Sequence, residues 1–213
     1  MSRPLYIAIE GIKGCGKSSL FKAITRYLVS KGRPHHCLRP TAPVSGHVME
    51  WVYRTLRLEH WDGMMEHLYA FRSNWHASQV PKRSPLILGD RSILTSYATR
   101  WPGSGHHGAE QHLDRVDRLE HRIPLPDHIL FLDVDVDTAL SRIAGRPHRD
   151  YGLRDEAPSR LAACINAYRQ LKYLAGSLGV EHITWHHIDA TQPHPIVLQQ
   201  GIRILEQLTG ALE

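Results

Sequence analysis

The chain of 213 residues contains few of the features that mark membrane, secreted or zinc-binding proteins. Its longest apolar runs, such as Ile129–Leu132, are far too short to span a bilayer. The N-terminal segment reaches Glu10 and Gly11 too soon for a secretory signal. The three cysteines are widely spaced and form neither a zinc pattern nor a disulfide framework. We therefore expect a cytoplasmic protein that has no membrane association.

The overall composition excludes general disorder, because 42% hydrophobic and 22% charged residues are values of a globular protein. Twenty-six Lys and Arg residues against 21 Asp and Glu residues give a net charge of +5. This excess is compatible with ordinary solubility and equally with an anionic ligand, either a nucleotide or a nucleic acid. Sequential pairs among the 16 histidines point apart in an extended chain, so we predict no metal site from them.

Short apolar runs alternate with helical patterns along the chain, and this order predicts β-α-β units and a parallel sheet. The predicted strands are Leu5–Ile9, His36–Leu38, Leu86–Gly89, His128–Val134 and His182–Ile188. The predicted helices are Ser18–Lys31, Val44–His60, Met64–Val80, Ile93–Arg100, Ala109–Arg122, Asp137–Ala144, Pro158–Leu178 and Ile196–Leu208. We expect a single domain with a mobile, basic insert at about residues 145–157.

A phosphate-binding motif follows the first predicted strand and opens the first predicted helix. It has the pattern G-x-x-x-x-G-K-[ST] and consists of Gly11, Ile12, Lys13, Gly14, Cys15, Gly16, Lys17 and Ser18. The glycines let backbone N–H groups turn towards phosphate oxygens, and the start of the helix adds a positive dipole. Lys17 is expected to reach the β- and γ-phosphates, and Ser18 to ligate Mg²⁺. We include Ser19 among the residues expected to bind ATP.

A second signal is the apolar strand that ends in Asp90 and Arg91. Ligands of open α/β sheets bind beyond the carboxyl ends of the strands, so Asp90 is expected near the phosphates or their Mg²⁺. Taken alone, this dipeptide is equally compatible with a helix N-cap and a surface ion pair. The phosphate loop alone leaves kinases, NTPases and GTPases open, although the sequence contains no N-K-x-D guanine motif.

With these motifs the chain resembles the thymidylate kinase family over nearly its full length. The segments that carry the resemblance are Ile9-Glu10-Gly11, Tyr69-Ala70-Phe71-Arg72, Gly89-Asp90-Arg91 with Ser96 and Ala98, Pro126–Val134, Ala139–Ile143 and Ile188–Pro193. The resemblance implies a P-loop NTPase fold in three layers, with five parallel strands between helices. It also implies ATP with Mg²⁺ as the phosphoryl donor, a nucleotide as acceptor, and a homodimer.

The resemblance assigns roles to individual residues. The catalytic candidates are Lys17, Asp90, Arg91 and the lid arginines Arg146 and Arg149, and the metal candidates are Ser18 and Asp90. Arg142, Ala190 and Thr191 are expected on the ATP side, and Arg72 is expected to hold the acceptor phosphate beside Arg91. The remaining substrate-binding candidates are Arg39, Leu68, Tyr69, Ser96, Tyr97 and Arg100. Basic side chains that close over the moving phosphoryl group would position it and cancel its charge.

The acceptor side departs from the family pattern at several positions. Lys13 stands where the family usually has an acidic residue, and Leu68 stands where an aromatic residue stacks on thymine. Tyr69 is adjacent to Leu68 but lies about 100° further around the helix. Arg100 follows the Asp-Arg helix, and Arg39 begins the segment that replaces Glu-Pro-Gly. These departures indicate an altered base preference or an additional anionic group.

Three interpretations of the function remain open at this point. The favoured one is transfer of the ATP γ-phosphoryl group to a (deoxy)pyrimidine monophosphate, because Arg39 replaces the base that a hydroxyl acceptor needs. The alternative is a deoxynucleoside kinase or a kinase of a hydroxymethyl base, with nucleic acid as a partner only in that case. The third is a nucleotide- or nucleic-acid-binding module that has lost catalysis.

Overall fold

The computed structural model describes residues 3–56, 58, 61–81, 83–101, 106–145, 156–173 and 182–210, and strands alternate with helices along these ranges. The strands are β1 (Leu5–Glu10), β2 (His36–Leu38), β3 (Leu86–Asp90), β4 (His128–Asp133) and β5 (Thr184–Asp189). The helices are α1 (Lys17–Ser30), α2 (Val48–Thr55), α3 (Asp62–Ser78), α4 (Ile93–Thr99), α5 (His106–Leu119), α6 (Val136–Ala144), α7 (Pro158–Tyr173) and α8 (His194–Gly210).

The five strands form one parallel sheet in the order β2-β3-β1-β4-β5. The central strand β1 pairs on one side with β3 and on the other with β4, so Ile9 lies beside Asp90 and beside Leu130. Parallel strands need crossover helices, and these cover both faces of the sheet. The prediction of an α/β fold with a five-stranded parallel sheet is confirmed.

Alternate residues of β1 enter two separate cores, one on each face of the sheet. Ile7 and Ile9 belong to the first core, which is completed mainly by α1, α6 and α8. Tyr6 and Ala8 belong to the second core, which is completed mainly by α4 and α5. Helix α7 contributes to both cores. The molecule thus has the three layers that the sequence resemblance implies, and both cores hold the ends of β1 and β3 in place.

Several predicted boundaries differ from the structure. The helix predicted at Val44–His60 is reduced to α2, because Gly46 has a φ of +75° and His47 is extended. His47 caps α2 by accepting the Met49 N–H on its Nδ1. Helix α5 begins at His106 and ends at Leu119 rather than spanning Ala109–Arg122. The last turn predicted for α7 lies outside the described residues.

None of the described helices is long and apolar enough to cross a membrane.

Candidate active site

The phosphate loop connects β1 to α1 and requires glycine at two positions where the backbone is crowded. Gly11 has a φ of +137°, and a Cβ there would lie 2.6 Å from the Leu132 carbonyl oxygen. Gly14 has a φ of +91°, and a Cβ there would lie 2.5 Å from the Ala139 carbonyl oxygen. Any side chain would therefore strain the backbone and collide with β4 or α6. The loop is held against these two elements, and α1 begins directly behind it at Lys17.

Lys17 is buried within this loop, with only 6% of its surface exposed. Its Nζ donates to the carbonyl oxygens of Gly11 and Ile12, both at 2.7 Å, and lies 3.5 Å from Cys15 Sγ. Burial lowers the pKa of Lys17, and the nearby Cys15 opposes this effect. The loop thus holds a desolvated ammonium group where a charge interacts more strongly with an anion than it would in water.

Asp90 ends β3 and Arg91 follows it, at the same edge of the sheet as the phosphate loop. The Arg91 N–H donates to the Ile9 carbonyl oxygen at 3.1 Å, and Arg91 has a φ of +81°. Such a φ is costly for a residue with a side chain and is typically retained at functional sites. Burial alone would lower the pKa of Arg91, but Tyr168, Glu10 and Asp90 raise it. Arg91 is therefore a permanent cation beside the loop.

Asp90 is 8% exposed and faces a second cation that comes from the end of β2. Arg39 Nε lies 3.6 Å from Asp90 Oδ2, and the Arg39 side chain is 57% exposed. The structure thus brings together the predicted catalytic pair Asp90 and Arg91 and the predicted acceptor-side residue Arg39. This edge of the sheet offers a carboxylate that interacts with two cations, Arg39 and Arg91.

Glu10, the last residue of β1, holds the segment that contains Asp90 and Arg91 and is completely buried. Its Oε1 accepts from the Ser92 N–H at 2.6 Å and from Ser92 Oγ at 2.8 Å. Its Oε2 accepts from Thr95 Oγ1 and from Tyr168 Oη, both at 2.8 Å. These bonds tie the start of α4 to β1 and so fix the preceding residues 90–91. Sequence reasoning assigned Glu10 no role of its own, although a lone acid that ends a buried strand was a usable signal.

Tyr69 of α3, a predicted substrate-binding residue, lies close to two guanidinium groups. The Arg72 Cζ atom lies 5.7 Å from the centre of the Tyr69 ring, and the Arg100 Cζ atom lies 5.3 Å from it. Cations at this distance from an aromatic ring are attracted to it. Leu68, the other candidate for contact with the base, is only 3% exposed. The structure places Tyr69, rather than Leu68, beside Arg72 and Arg100.

A buried carboxyl group lies behind these residues and was missed by the sequence analysis. Glu120, just after α5, is 4% exposed. Burial raises the pKa of Glu120, while a hydrogen bond from the Ser96 hydroxyl and the charge of Arg100 oppose that rise. Ser96 thus joins a polar cluster near Arg100. No local sequence pattern could have marked Glu120, because Ser96 and Arg100, which act on it, come from α4 and its C-terminal end.

Tyr97, another predicted substrate-binding residue, does not lie beside Tyr69 and the two arginines. It is 1% exposed and belongs to the core between α4 and α5. Its hydroxyl donates to Asp117, and burial followed by this bond raises the pKa of Tyr97 well above the ordinary range. The Tyr97 side chain therefore packs in this core and is not available to a ligand.

The predicted ATP side lies at the carboxyl ends of β4 and β5, where an open pocket of about 310 Å³ is lined by Asp133, Val134, Asp135, His187, Asp189 and Thr191. Thr191 is positioned by Asp189, whose Oδ1 accepts the Thr191 N–H at 2.9 Å. Ala190 is fully buried, and Arg142 is half-buried at the end of α6. Ser18 and Ser19 are exposed at the start of α1. The predicted lid residues Arg146 and Arg149 lie outside the described residues.

Lys13, whose charge departs from the family pattern, contacts the far end of the predicted lid segment. Its Nζ lies 2.6 Å from Glu156 Oε1, and the two side chains are 22% and 9% exposed. The pair joins the phosphate loop to the residues that precede α7. The inverted charge at position 13 is therefore matched by an acidic group 143 positions away in the chain.

We expect the charge of this pair to matter more than the identity of either residue. Lys13→Glu and Glu156→Lys should each reduce the catalytic rate by about tenfold, because like charges would oppose each other across the loop. The double variant Lys13→Glu/Glu156→Lys should recover most of that loss. Steady-state rates of ADP formation would measure this coupling. If the double variant were no better than the worse single variant, Lys13 would act on the nucleotide rather than through Glu156.

The comparison with known proteins agrees with this geometry. A family model described as thymidylate kinase matches residues 9–200. The chain is 25% identical over 209 residues to a thymidylate kinase of Coprothermobacter proteolyticus, which covers 96% of this chain and 98% of that protein. It is 30% identical over 161 residues to the thymidylate kinase of Verminephrobacter eiseniae, which covers 70% of each.

A solved structure supports the fold alone. It is that of a deoxyadenosine kinase from M. mycoides with the products dCMP and a flexible dCDP bound. The TM-score is 0.65 at 18% sequence identity, and the match covers 97% of this chain and all of that chain (100%).

The parallel sheet, the glycine-dependent loop and the buried lysine define a P-loop phosphotransferase. The chain belongs to the thymidylate kinase family, because the family model matches most of its length. It is a nucleoside monophosphate kinase, and the resemblance stated from the sequence is confirmed.

Proposed function

We propose that this protein transfers the γ-phosphoryl group of ATP to a pyrimidine deoxynucleoside monophosphate, with thymidylate as the first candidate. One observation carries the proposal. The phosphate loop with Lys17 and the Asp90-Arg91 pair lie at adjacent ends of β1 and β3, and the acceptor-side arginines surround Tyr69. The names of the related proteins support the choice of thymidylate.

The chain itself supplies positioning and positive charge to the reaction. The loop N–H groups and the dipole of α1 hold the donor phosphates, and Lys17 exchanges its loop carbonyl partners for phosphate oxygens. Arg91 lies where negative charge develops during transfer. The Ser18 hydroxyl and the Asp90 carboxylate are the hard oxygen donors that Mg²⁺ prefers, and they would hold it near the loop. When bound, Mg²⁺ would neutralise charge on the β- and γ-phosphates.

The cations around Asp90 favour an anionic acceptor over a hydroxyl acceptor. Arg39 and Arg91 both act on this carboxylate, so its surroundings attract a phosphate group. A hydroxyl acceptor requires a general base, whereas a monophosphate is already ionised and requires none. We therefore place the acceptor phosphate near Arg39 and Arg91. A deoxynucleoside kinase, which acts on a hydroxyl acceptor, is the alternative.

A panel of acceptors tests the proposed function. Purified protein with Mg²⁺ and ATP would be assayed for ADP formation with dTMP, dUMP, dCMP, thymidine and deoxycytidine. We expect turnover with at least one pyrimidine monophosphate and none above background with the nucleosides. Turnover restricted to the nucleosides would support the alternative, and no turnover with any acceptor would refute the proposed kinase activity.

We also propose that two copies of the chain associate through α2 and the start of α3. Many large apolar side chains that are exposed in the described part of the chain lie there or at the adjoining helix caps: Val48, Met49, Trp51, Leu56, Trp61 and Met64. Trp51 is 66% exposed and Trp61 is 70% exposed. Exposed apolar patches of this kind typically mark protein interfaces, and the family resemblance names a second copy as the partner.

Trp51→Glu is expected to convert the dimer into a monomer, because it places a charge in the apolar patch. Light scattering after size-exclusion chromatography should then give 24.3 kDa instead of twice that mass. Val29→Glu provides the matched control, since Val29 is 66% exposed on α1, outside the patch. A wild-type protein that elutes as a monomer, or a Trp51→Glu variant that stays dimeric, would refute this interface.

A further inference from the structure

A cluster of polar side chains adjoins Tyr69, where α3, the end of α4 and the residue after α5 meet. The Glu120 carboxyl group accepts a hydrogen bond from Ser96, lies within range of the Arg100 charge and adjoins Ser73. Ser73, Ser96 and Glu120 are buried, whereas Arg100 and Tyr69 are half-buried. The Arg100 Cζ atom lies 5.3 Å from the centre of the Tyr69 ring. A ligand that touches Tyr69 is therefore next to this cluster.

Two polar atoms of the cluster have no hydrogen-bond partner among the residues that the structure describes. They are Ser73 Oγ and Arg100 Nη1, and both atoms are buried. The whole Ser73 side chain is only 1% exposed. Buried polar groups without a partner are rare in native proteins, because the desolvation of each group is not compensated. The two atoms thus lack a partner that a bound molecule can supply.

The backbone around this cluster is held in place by bonds that do not use the two unpartnered atoms. Asn74, which follows Ser73, donates from Nδ2 to the Leu119 carbonyl oxygen at 2.7 Å and accepts the Arg122 N–H on Oδ1 at 3.0 Å. The segment that carries Glu120 is therefore fixed to α3. A site whose groups are already in position loses less entropy when a ligand binds.

The charges of the cluster favour a neutral ligand group over a second phosphate. Glu66, the other buried carboxylate near Glu120, forms an ion pair with Arg115, and Glu120 itself faces Arg100. Two cations thus balance two carboxylates. A hydroxyl group fits the remaining atoms best, because it can accept from Arg100 Nη1 and at the same time donate to Ser73 Oγ or Glu120. A methyl group would leave both Ser73 and Arg100 without a partner.

We infer that Ser73, Arg100 and Glu120 form a specificity site for a pyrimidine monophosphate whose base carries a hydroxyl group, such as a hydroxymethyl substituent. The inference rests on the proposed function and names an acceptor class other than thymidylate. Because Tyr69 offers an aromatic contact to a base, the group beside Arg100 belongs to the base rather than to the sugar. It also gives a reason for arginine at position 100, where the chain departs from the family pattern.

Calorimetric titration with dTMP and with 5-hydroxymethyl-dUMP tests the inference, because the second molecule has the shape of dTMP with one added oxygen. We expect the wild-type protein to bind 5-hydroxymethyl-dUMP at least about tenfold more tightly than dTMP, since a site built to bond a hydroxyl disfavours the analogue that lacks it. Equal binding of the two nucleotides would overturn the inference, and the cluster would then hold a buried water only.

Two variants connect this preference to the cluster. Arg100→Met removes the donor but keeps an apolar stem, and Ser73→Ala removes the unpartnered hydroxyl. Each should lower the preference for 5-hydroxymethyl-dUMP by about tenfold. Arg118→Met on α5 is the matched control, because Arg118 is 78% exposed and carries the same charge, and it should keep the wild-type preference.

Thermal unfolding of the ligand-free Ser73→Ala variant distinguishes a ligand site from a structural role. The melting temperature should be unchanged or higher, because the substitution removes a buried polar atom that has no partner. A lower melting temperature together with an unchanged preference would overturn the inference, and so would a preference that survives both substitutions. The proposed kinase function is judged separately, by whether the wild-type protein phosphorylates any monophosphate.

Discussion

Replacing Lys17 with alanine is expected to lower kcat/KM for ADP formation by about 10³-fold or more, the loss typical of removing a group that stabilises charge in the transition state. Lys17 is 6% exposed, and the loop already desolvates its ammonium group. Its charge therefore acts on the donor phosphates in a medium that screens it poorly. Water that enters the truncated site cannot replace a fixed cation.

The matched control is Lys22→Ala on the same helix, because Lys22 is exposed. The two variants have the same net charge, since each loses one lysine. We expect that variant to retain wild-type kinetics. Calorimetry with Mg²⁺ and ATP separates binding from chemistry, and thermal unfolding checks that the loop still folds without the lysine contacts. A Lys17→Ala variant that keeps more than about a tenth of the wild-type rate would contradict the role assigned to this residue.

The parts of the site that depend on local sequence could be predicted well. The phosphate loop has a fixed spacing and a strand–helix context, so both its position and its neighbours followed from residues 5–31. The parallel sheet followed from the alternation of short apolar runs with helical patterns, since parallel strands require crossover helices. Asp90 and Arg91 could be placed at the same edge because the carboxyl ends of parallel strands meet there.

Contacts between distant segments could not be predicted. The Glu50–Arg72 ion pair joins α2 to α3, and the sequence analysis assigned Glu50 to a longer helix that the structure shortens to α2. The Lys13–Glu156 pair spans most of the chain. Each pair depends on the relative position of packed elements, which hydrophobic periodicity does not specify.

The assignment of Leu68 and Tyr69 illustrates the same limit within one helix. Neighbouring helical positions differ by about 100°, so the two side chains cannot point in the same direction. The family pattern favoured Leu68 as the residue that contacts the base. In the structure Leu68 is buried, and Tyr69 lies between Arg72 and Arg100. Only the packing of α3 against its neighbours decides between them.

Glu10→Ala is expected to lower the free energy of unfolding by about 4 kcal/mol, because buried donors that lose their acceptor each cost about 1–3 kcal/mol and the site relaxes only partly. Glu10 accepts four hydrogen bonds, from the Ser92 N–H and from the hydroxyls of Ser92, Thr95 and Tyr168. Arg91, whose backbone has a φ of +81°, directly precedes Ser92, which two of these bonds hold. The variant should therefore lose activity as well as stability.

Glu10→Gln separates the two effects, because its amide oxygen can still accept from Ser92 and hydroxyl groups can turn to accept from its NH₂ group. We expect this variant to lose about half as much stability as Glu10→Ala, on the same scale of unsatisfied buried donors. Urea unfolding measures the free energies, and ADP formation below the transition measures activity. If Glu10→Ala were as stable as the wild type, the four bonds would not hold α4, and the strained backbone at Arg91 would need another support.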